Sequence, residues 1–210
     1  MNINNFKKII SEKIHDNFSS YIINYKNQEV FNSYKKIIHN SSKKNNTFKK
    51  LLIDAGFYNL GYFYRLQLLR AALNSNELEE HAYIWDRNFN LCTNLLNYLD
   101  IEKFSHLKIS HNKEILFNAE RLVSSIKQKE DILNLDLPFN VPGSFLYDVI
   151  LKIQRLPSVD LEDKNLKKYI YKFLYSINFS HELLENFKPD ILAMSHCISY
   201  QCAPIAWLSA

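Results

Sequence analysis

The chain is 210 residues long, 47% apolar and 23% charged, an ordinary globular composition that excludes disorder and collagen-like repeats. With three glycines in all, neither a G-x-G-x-x-G dinucleotide loop nor a G-x-x-x-x-G-K-[ST] phosphate loop can be assembled. The net charge of +4 hides an asymmetry, because residues 1–50 carry ten lysines against three acids, Glu12, Asp16 and Glu29, and the remainder is mildly acidic.

The first apolar residues, Phe6, Ile9, Ile10, Ile14, Phe18, Tyr21, Ile22 and Tyr25, recur every three or four positions, as on one face of a helix. A second helical stretch covers Glu29 to Ile38, and the polar run Asn40 to Asn46 reads as a linker. Residues 1–46 are therefore expected to form a basic helical preface. Its lysines are mixed with Asn, Ser and apolar residues rather than clustered as an arginine-rich patch. That favours a solvated face, keeps peripheral contact with an anionic membrane as the alternative, and argues against nucleic acid.

From residue 47 short apolar runs alternate with amphipathic segments, the pattern of βαβ units around a parallel sheet. Strands are predicted at Lys50–Ala55, His81–Trp85 and Phe104–Ile109, each followed by a helix, at Gly61–Leu73, Asn90–Leu99 and Asn112–Lys127. Residues 131–188 read as mostly helical, punctuated by Pro138, Pro142 and Pro157. Asp190–Met194 reads as a buried strand, and Ser199–Ala210 as a helix that tolerates Pro204 only in its first turn. The expected fold is α/β: a Rossmann-like, mostly parallel open sheet of about four strands with flanking helices over residues 47–210. Such sheets commonly run past four strands, so a continuation beyond Ala210 is expected, and an uncovered edge beside the last strand would favour pairing with another chain.

Cys92, Cys197 and Cys202 are odd in number and lack C-x-x-C spacing, which predicts free thiols, a reducing compartment and no metal. No apolar run approaches a spanning helix, and no signal-peptide pattern opens the chain, so a cytoplasmic location is expected.

Ligands of open α/β sheets bind beyond the carboxyl ends of the strands, which directs attention to four loops. The first runs from Gly56 through Asn59 to Gly61 and either presents a helix N-terminus to a ligand or is a plain tight turn. Asp86-Arg87-Asn88 offers a charged pair or a helix cap. Ser110-His111-Asn112 offers an imidazole donor or an exposed cap. Ser195-His196-Cys197 places a group that titrates near neutral pH directly after an apolar strand. Adjacent residues of extended chain point to opposite sides, so a Cys197–His196 nucleophile pair is disfavoured.

The segment Val141-Pro142-x-Gly143-x-x-Leu146-Tyr147-Asp148, then Val159-Asp160-Leu161, then the run from Leu183 through Lys188-Pro189-Asp190 to Ser195-His196 resembles the N-terminal half of bacterial capsule and surface-polysaccharide biosynthesis proteins with a GT-B, glycosyltransferase-like fold. The resemblance spans residues 138–210, extends to 47–130 in architecture only, and leaves out the preface. It brings forward Gly143, Tyr147, Asp148, Ser195 and His196. Ser144 stands where an aspartate is usual and Ala203 where a glycine is usual. What the resemblance implies is transfer of a sugar from a nucleotide-sugar donor to a glycan or lipid-linked glycan acceptor. The acceptor would lie on this half and the donor on a C-terminal domain, without metal or cofactor, and His196 or Asp148 would serve as the base. The alternatives are a non-catalytic sugar- or partner-binding α/β module and a related GT-B enzyme such as a glycerophosphotransferase. A dehydrogenase-like epimerase is disfavoured, because the chain has neither a Tyr-x-x-x-Lys dyad nor a glycine-rich first loop.

Overall fold

A run of Leu51, Leu52 and Ile53, each fully buried, makes β1 (Lys49–Asp54) a strand with both faces covered, as the central strand of a parallel sheet must be. The computed structural model describes residues 49–56, 60–73, 78–85, 89–195 and 202–210; the expected preface, residues 1–46, lies outside them. β1 pairs in parallel with β2 (Leu78–Trp85) on one side and with β4 (Ile191–Ala193) on the other, with Ile53 opposite both Ala82 and Ala193. β3 (Phe104–Leu107) lies outside β2, so the all-parallel order is β3-β2-β1-β4.

Parallel neighbours need a crossover. α1 (Leu60–Ala72) supplies it between β1 and β2, and α2 (Phe89–Tyr98) between β2 and β3. The described residues divide into two compact units. The sheet unit runs to His106 and takes back Pro189–Ala193, while the helical unit comprises Leu107–Lys188 and Met194–Ala210.

The sheet unit buries Ile53, Phe63, Leu66, Ile84, Leu91 and Leu95 in one cluster. Inside it Arg70 of α1 is clamped. Its guanidinium donates to both carboxylate oxygens of Glu80 on β2 (2.5 and 2.6 Å) and to the Leu99 carbonyl after α2 (2.8 Å). A planar fork with several donors suits this three-way tie better than an ammonium would. At the start of β4 the Asp190 carboxylate accepts the Lys50 N–H at 2.8 Å while the Asp190 N–H donates to the Lys50 carbonyl at 2.9 Å. These two bonds fix the register of β4 against β1.

The helical unit contains α3 (Lys113–Ser125), α4 (Gly143–Gln154), the 22-residue α5 (Leu166–Phe187) and α6 (Ala203–Leu208), with 3-10 turns at Lys129–Asn134 and Pro138–Asn140. Its own core joins Ile115, Ala119, Leu146, Ile150, Ile170, Phe173 and Ile177. Local chemistry sets the helix ends. Asn112 caps α3 through a bond from the Ile115 N–H to its side-chain oxygen (3.1 Å). Arg155 and Lys188 close α4 and α5 in the left-handed conformation.

The predicted strands and helices of residues 49–193 recur with ends shifted by at most three residues, and α6 begins at Ala203, four residues later than the expected Ser199. Pro204 stands in the first turn of α6, where it was expected to be tolerated. β4 departs from expectation: Ile191 and Leu192 are only half-buried, and among the described residues β4 is an edge strand that pairs with β1 alone.

Candidate functional site

In the sheet unit the strand order reverses between β1 and β4, which is where open α/β sheets leave a crevice at their carboxyl ends. β1 ends in Asp54, a fully buried carboxylate whose Oδ1 accepts the Gly56 N–H at 3.0 Å. From the first turn of α1 the Tyr62 hydroxyl donates to the Ala193 carbonyl at the end of β4 (3.0 Å). Cys92 of α2 is buried, and that burial, with the negative charge of Asp54, pushes its thiol up to about 12. It is therefore an inert protonated thiol at neutral pH.

Gly56 does not use the positive-φ freedom that its turn suggested; among the described glycines none has a positive φ. A Cβ on Gly56 would lie 2.1 Å from Nε1 of Trp85. The approach that requires glycine is made by an indole of the protein, not by a ligand. Gly61 is exposed in the first turn of α1. Asn59 and Asp86 lie outside the described residues.

In the helical unit the Ser110–Asn112 loop is held from one side by α5. The Tyr171 hydroxyl donates to the Ser110 carbonyl and accepts from the Asn112 N–H (2.9 Å). One turn further on, the Tyr175 hydroxyl pairs with Ser110 Oγ at 3.0 Å. Both neighbours of His111 are thus fixed, and the exposed imidazole is displayed between them. Ile109, Ser110, His111, Leu116, Lys167, Lys168 and Tyr171 line a cavity of about 330 Å³ beside this loop. Lys167 pairs with Glu120 at 3.1 Å, whereas Lys168 makes no ion pair or hydrogen bond among the described residues.

The residues that the resemblance brings from α4 hold a different position. Gly143 is buried, and a Cβ there would stand 2.1 Å from the Ile132 carbonyl oxygen and 2.8 Å from that of Leu133. The close approach is again internal, between the start of α4 and the preceding 3-10 turn. Tyr147 is half-buried against the helical core. Asp148 is exposed, makes no hydrogen bond or ion pair among the described residues, and lines neither this cavity nor the acidic one below. Ser195 is half-buried two residues beyond β4. His196 lies outside the described residues.

Sequence reasoning missed Asp54, Trp85 and the α5 group of Lys167, Lys168 and Tyr171. A signal for the last was present, since Tyr171 and Tyr175 are spaced to share one helix face and follow a Lys-Lys pair. A second cavity of about 420 Å³ lies at the amino end of β2, with Glu79, Glu80, Asp100 and Glu102 on its wall. Glu80 is committed to Arg70 and Glu79 pairs with Lys103 at 3.3 Å. Among the described residues no group of three or more His, Cys, Asp or Glu is placed to hold a metal ion, and no helix is long and apolar enough to cross a membrane. The chain matches no protein-family model, no curated protein and no solved structure.

Proposed function

We propose that this chain is the acceptor-side part of a sugar transferase of surface-polysaccharide synthesis. The observation that carries the reading is the strand order β3-β2-β1-β4, with its switch point between β1 and β4. The motif resemblance over residues 138–210 supplies the reaction class. In this reading His196 takes the proton from an acceptor hydroxyl, whose oxygen bonds to the anomeric carbon. The bond from that carbon to the donor diphosphate breaks, and the nucleoside diphosphate leaves. Asp148 is the weaker candidate for the base, since nothing around it forms a site. Donor binding belongs to the second domain that the resemblance implies, and membrane contact through the basic preface belongs to the same proposal.

The test is saturation-transfer NMR of the 210-residue chain with a panel of capsule-type oligosaccharides, alongside nucleoside diphosphate release from nucleotide sugars by the natural full-length protein. Glycan binding that weakens at least tenfold in Ser195→Ala or His196→Ala, with release that depends on His196, supports the reading. Absence of both glycan binding and release ends it.

A second reading, a non-catalytic sugar- or partner-binding module, is favoured by one observation: the faces of Gly143 and Gly56 are filled by the protein itself, leaving neither for a ligand. Glycan binding without His196-dependent release in the full-length protein would select this reading.

A further inference from the structure

The cavity beside His111 lies wholly within the helical unit. Lys167, Lys168 and His111 line it together with Ile109, Ser110, Leu116 and Tyr171, and its lining surface is mostly apolar. No carboxylate lines it; Glu120, the partner of Lys167, lies outside the wall. Lys168 is left without a counter-ion among the described residues. Both lysines stand in the first turn of α5, which contains no acidic residue, although the helix dipole disfavours cations at that end. Lys167 is compensated by Glu120, and the Asp163 carboxylate just before the helix accepts the Asn165 N–H and the Tyr169 hydroxyl, so Lys168 is the cation of this turn that an external anion would complement.

The loop that presents His111 is also built rather than loose. Two tyrosine hydroxyls one helical turn apart bind both of its neighbours, so the imidazole reaches a ligand without the cost of ordering its backbone.

We infer that this cavity binds the phosphate group of a small phosphorylated molecule, with Lys168, Lys167 and His111 around the phosphate oxygens and the organic part against Ile109, Leu116 and Tyr171. Two lysines and an imidazole call for a group with more than one charge and several acceptor oxygens, which phosphate provides and a carboxylate does not. A volume of about 330 Å³ is at the lower end for small-molecule sites and suits a monosaccharide phosphate or a lipid phosphate headgroup. The inference stands apart from the transferase reading, since it uses none of the residues that follow β1 or β4.

The experiment is isothermal titration of the full 210-residue chain with inorganic phosphate, glucose 1-phosphate and glucose, paired with sedimentation on phosphatidylcholine vesicles with and without phosphatidic acid. Glucose 1-phosphate is expected to bind more tightly than phosphate and glucose not at all. Lys168→Gln should weaken binding about tenfold, and His111→Ala by a smaller factor. Lys127→Gln, an exposed lysine away from the cavity, should leave binding unchanged, with circular dichroism and melting temperature the same in every variant. Lys168-dependent capture by phosphatidic acid vesicles without binding of soluble phosphates would assign the same chemistry to a headgroup. Equal binding of glucose and glucose 1-phosphate, binding indifferent to Lys168→Gln and Lys167→Gln together, or no binding by any probe overturns the inference.

Discussion

The two units of this protein spend their polar groups in opposite ways. In the sheet unit buried charges are held internally: Arg70 with Glu80 and the Leu99 carbonyl, and Asp54 with the Gly56 amide. In the helical unit hydroxyls and amides hold the surface loop that displays His111, and lysines of α5 stand out beside it. The sheet needs internal partners because a strand buried on both faces leaves a charge no water to fall back on. A helix buries one face and keeps the other for solvent or ligand. Topology therefore points to the sheet's carboxyl end as a binding place, whereas available charge points to the helical unit.

The sharpest way to break that contrast is through the two buried glycines. Gly143→Ala drives a methyl group into backbone carbonyls, which cannot swing aside, and should destabilise the protein by about 3 kcal/mol in urea titrations. For Gly56→Ala the three nearest atoms all belong to the Trp85 ring, so Gly56→Ala combined with Trp85→Leu should recover part of the loss. No recovery would mean that the backbone, not the indole, demands glycine there.

Ion pairs give the next effect. The Arg70–Glu80 side chains are 6% and 12% exposed, against 50% and 51% for Lys167–Glu120. Arg70→Ala strands a buried carboxylate and should cost about 3 kcal/mol. Lys167→Ala should cost less than about 0.5 kcal/mol. Similar losses for the two would erase the distinction between internal and displayed charge.

Tyr171→Phe removes a hydroxyl that both donates and accepts, with an expected loss of about 1 kcal/mol. Faster hydrogen exchange at the Asn112 amide is the specific readout, and unchanged exchange would show that the loop is held by other means.

The smallest effect is one of pH. Burial first, and the nearby Lys103 second, lower the pKa of His81, whose ring nitrogen lies 2.8 Å from Ser105 Oγ. Because the folded value lies below the unfolded one, the stability is fully present above about pH 6.5 and is lost as pH falls through the folded value. His81→Gln should flatten the acid side of the stability profile, and an unchanged slope would remove His81 from that role.

Much of the scaffold was legible in order, element by element. The apolar run Leu51-Leu52-Ile53 announced β1, and the alternation of such runs with amphipathic stretches announced the parallel sheet. Pro204 marked the first turn of α6, and His111 was singled out as a loop residue beside a helix start. The reasons for the glycines were not legible: a turn and a packing contact look alike until Trp85 or the Ile132 carbonyl is seen against them. Nor could Asp148 be separated from a site residue, since exposure is not written in a Tyr-Asp dipeptide.

Local pattern by itself determined which segments are strands and which are helices, because periodicity and capping act between residues a few positions apart. Only the tertiary structure decided that β4 lies at the sheet edge beside β1, that Gly56 and Gly143 serve packing, and that Lys167, Lys168 and Tyr171 meet His111. Those pairings join residues from about 10 to 140 positions apart, and no local rule encodes a contact that depends on how separate elements pack.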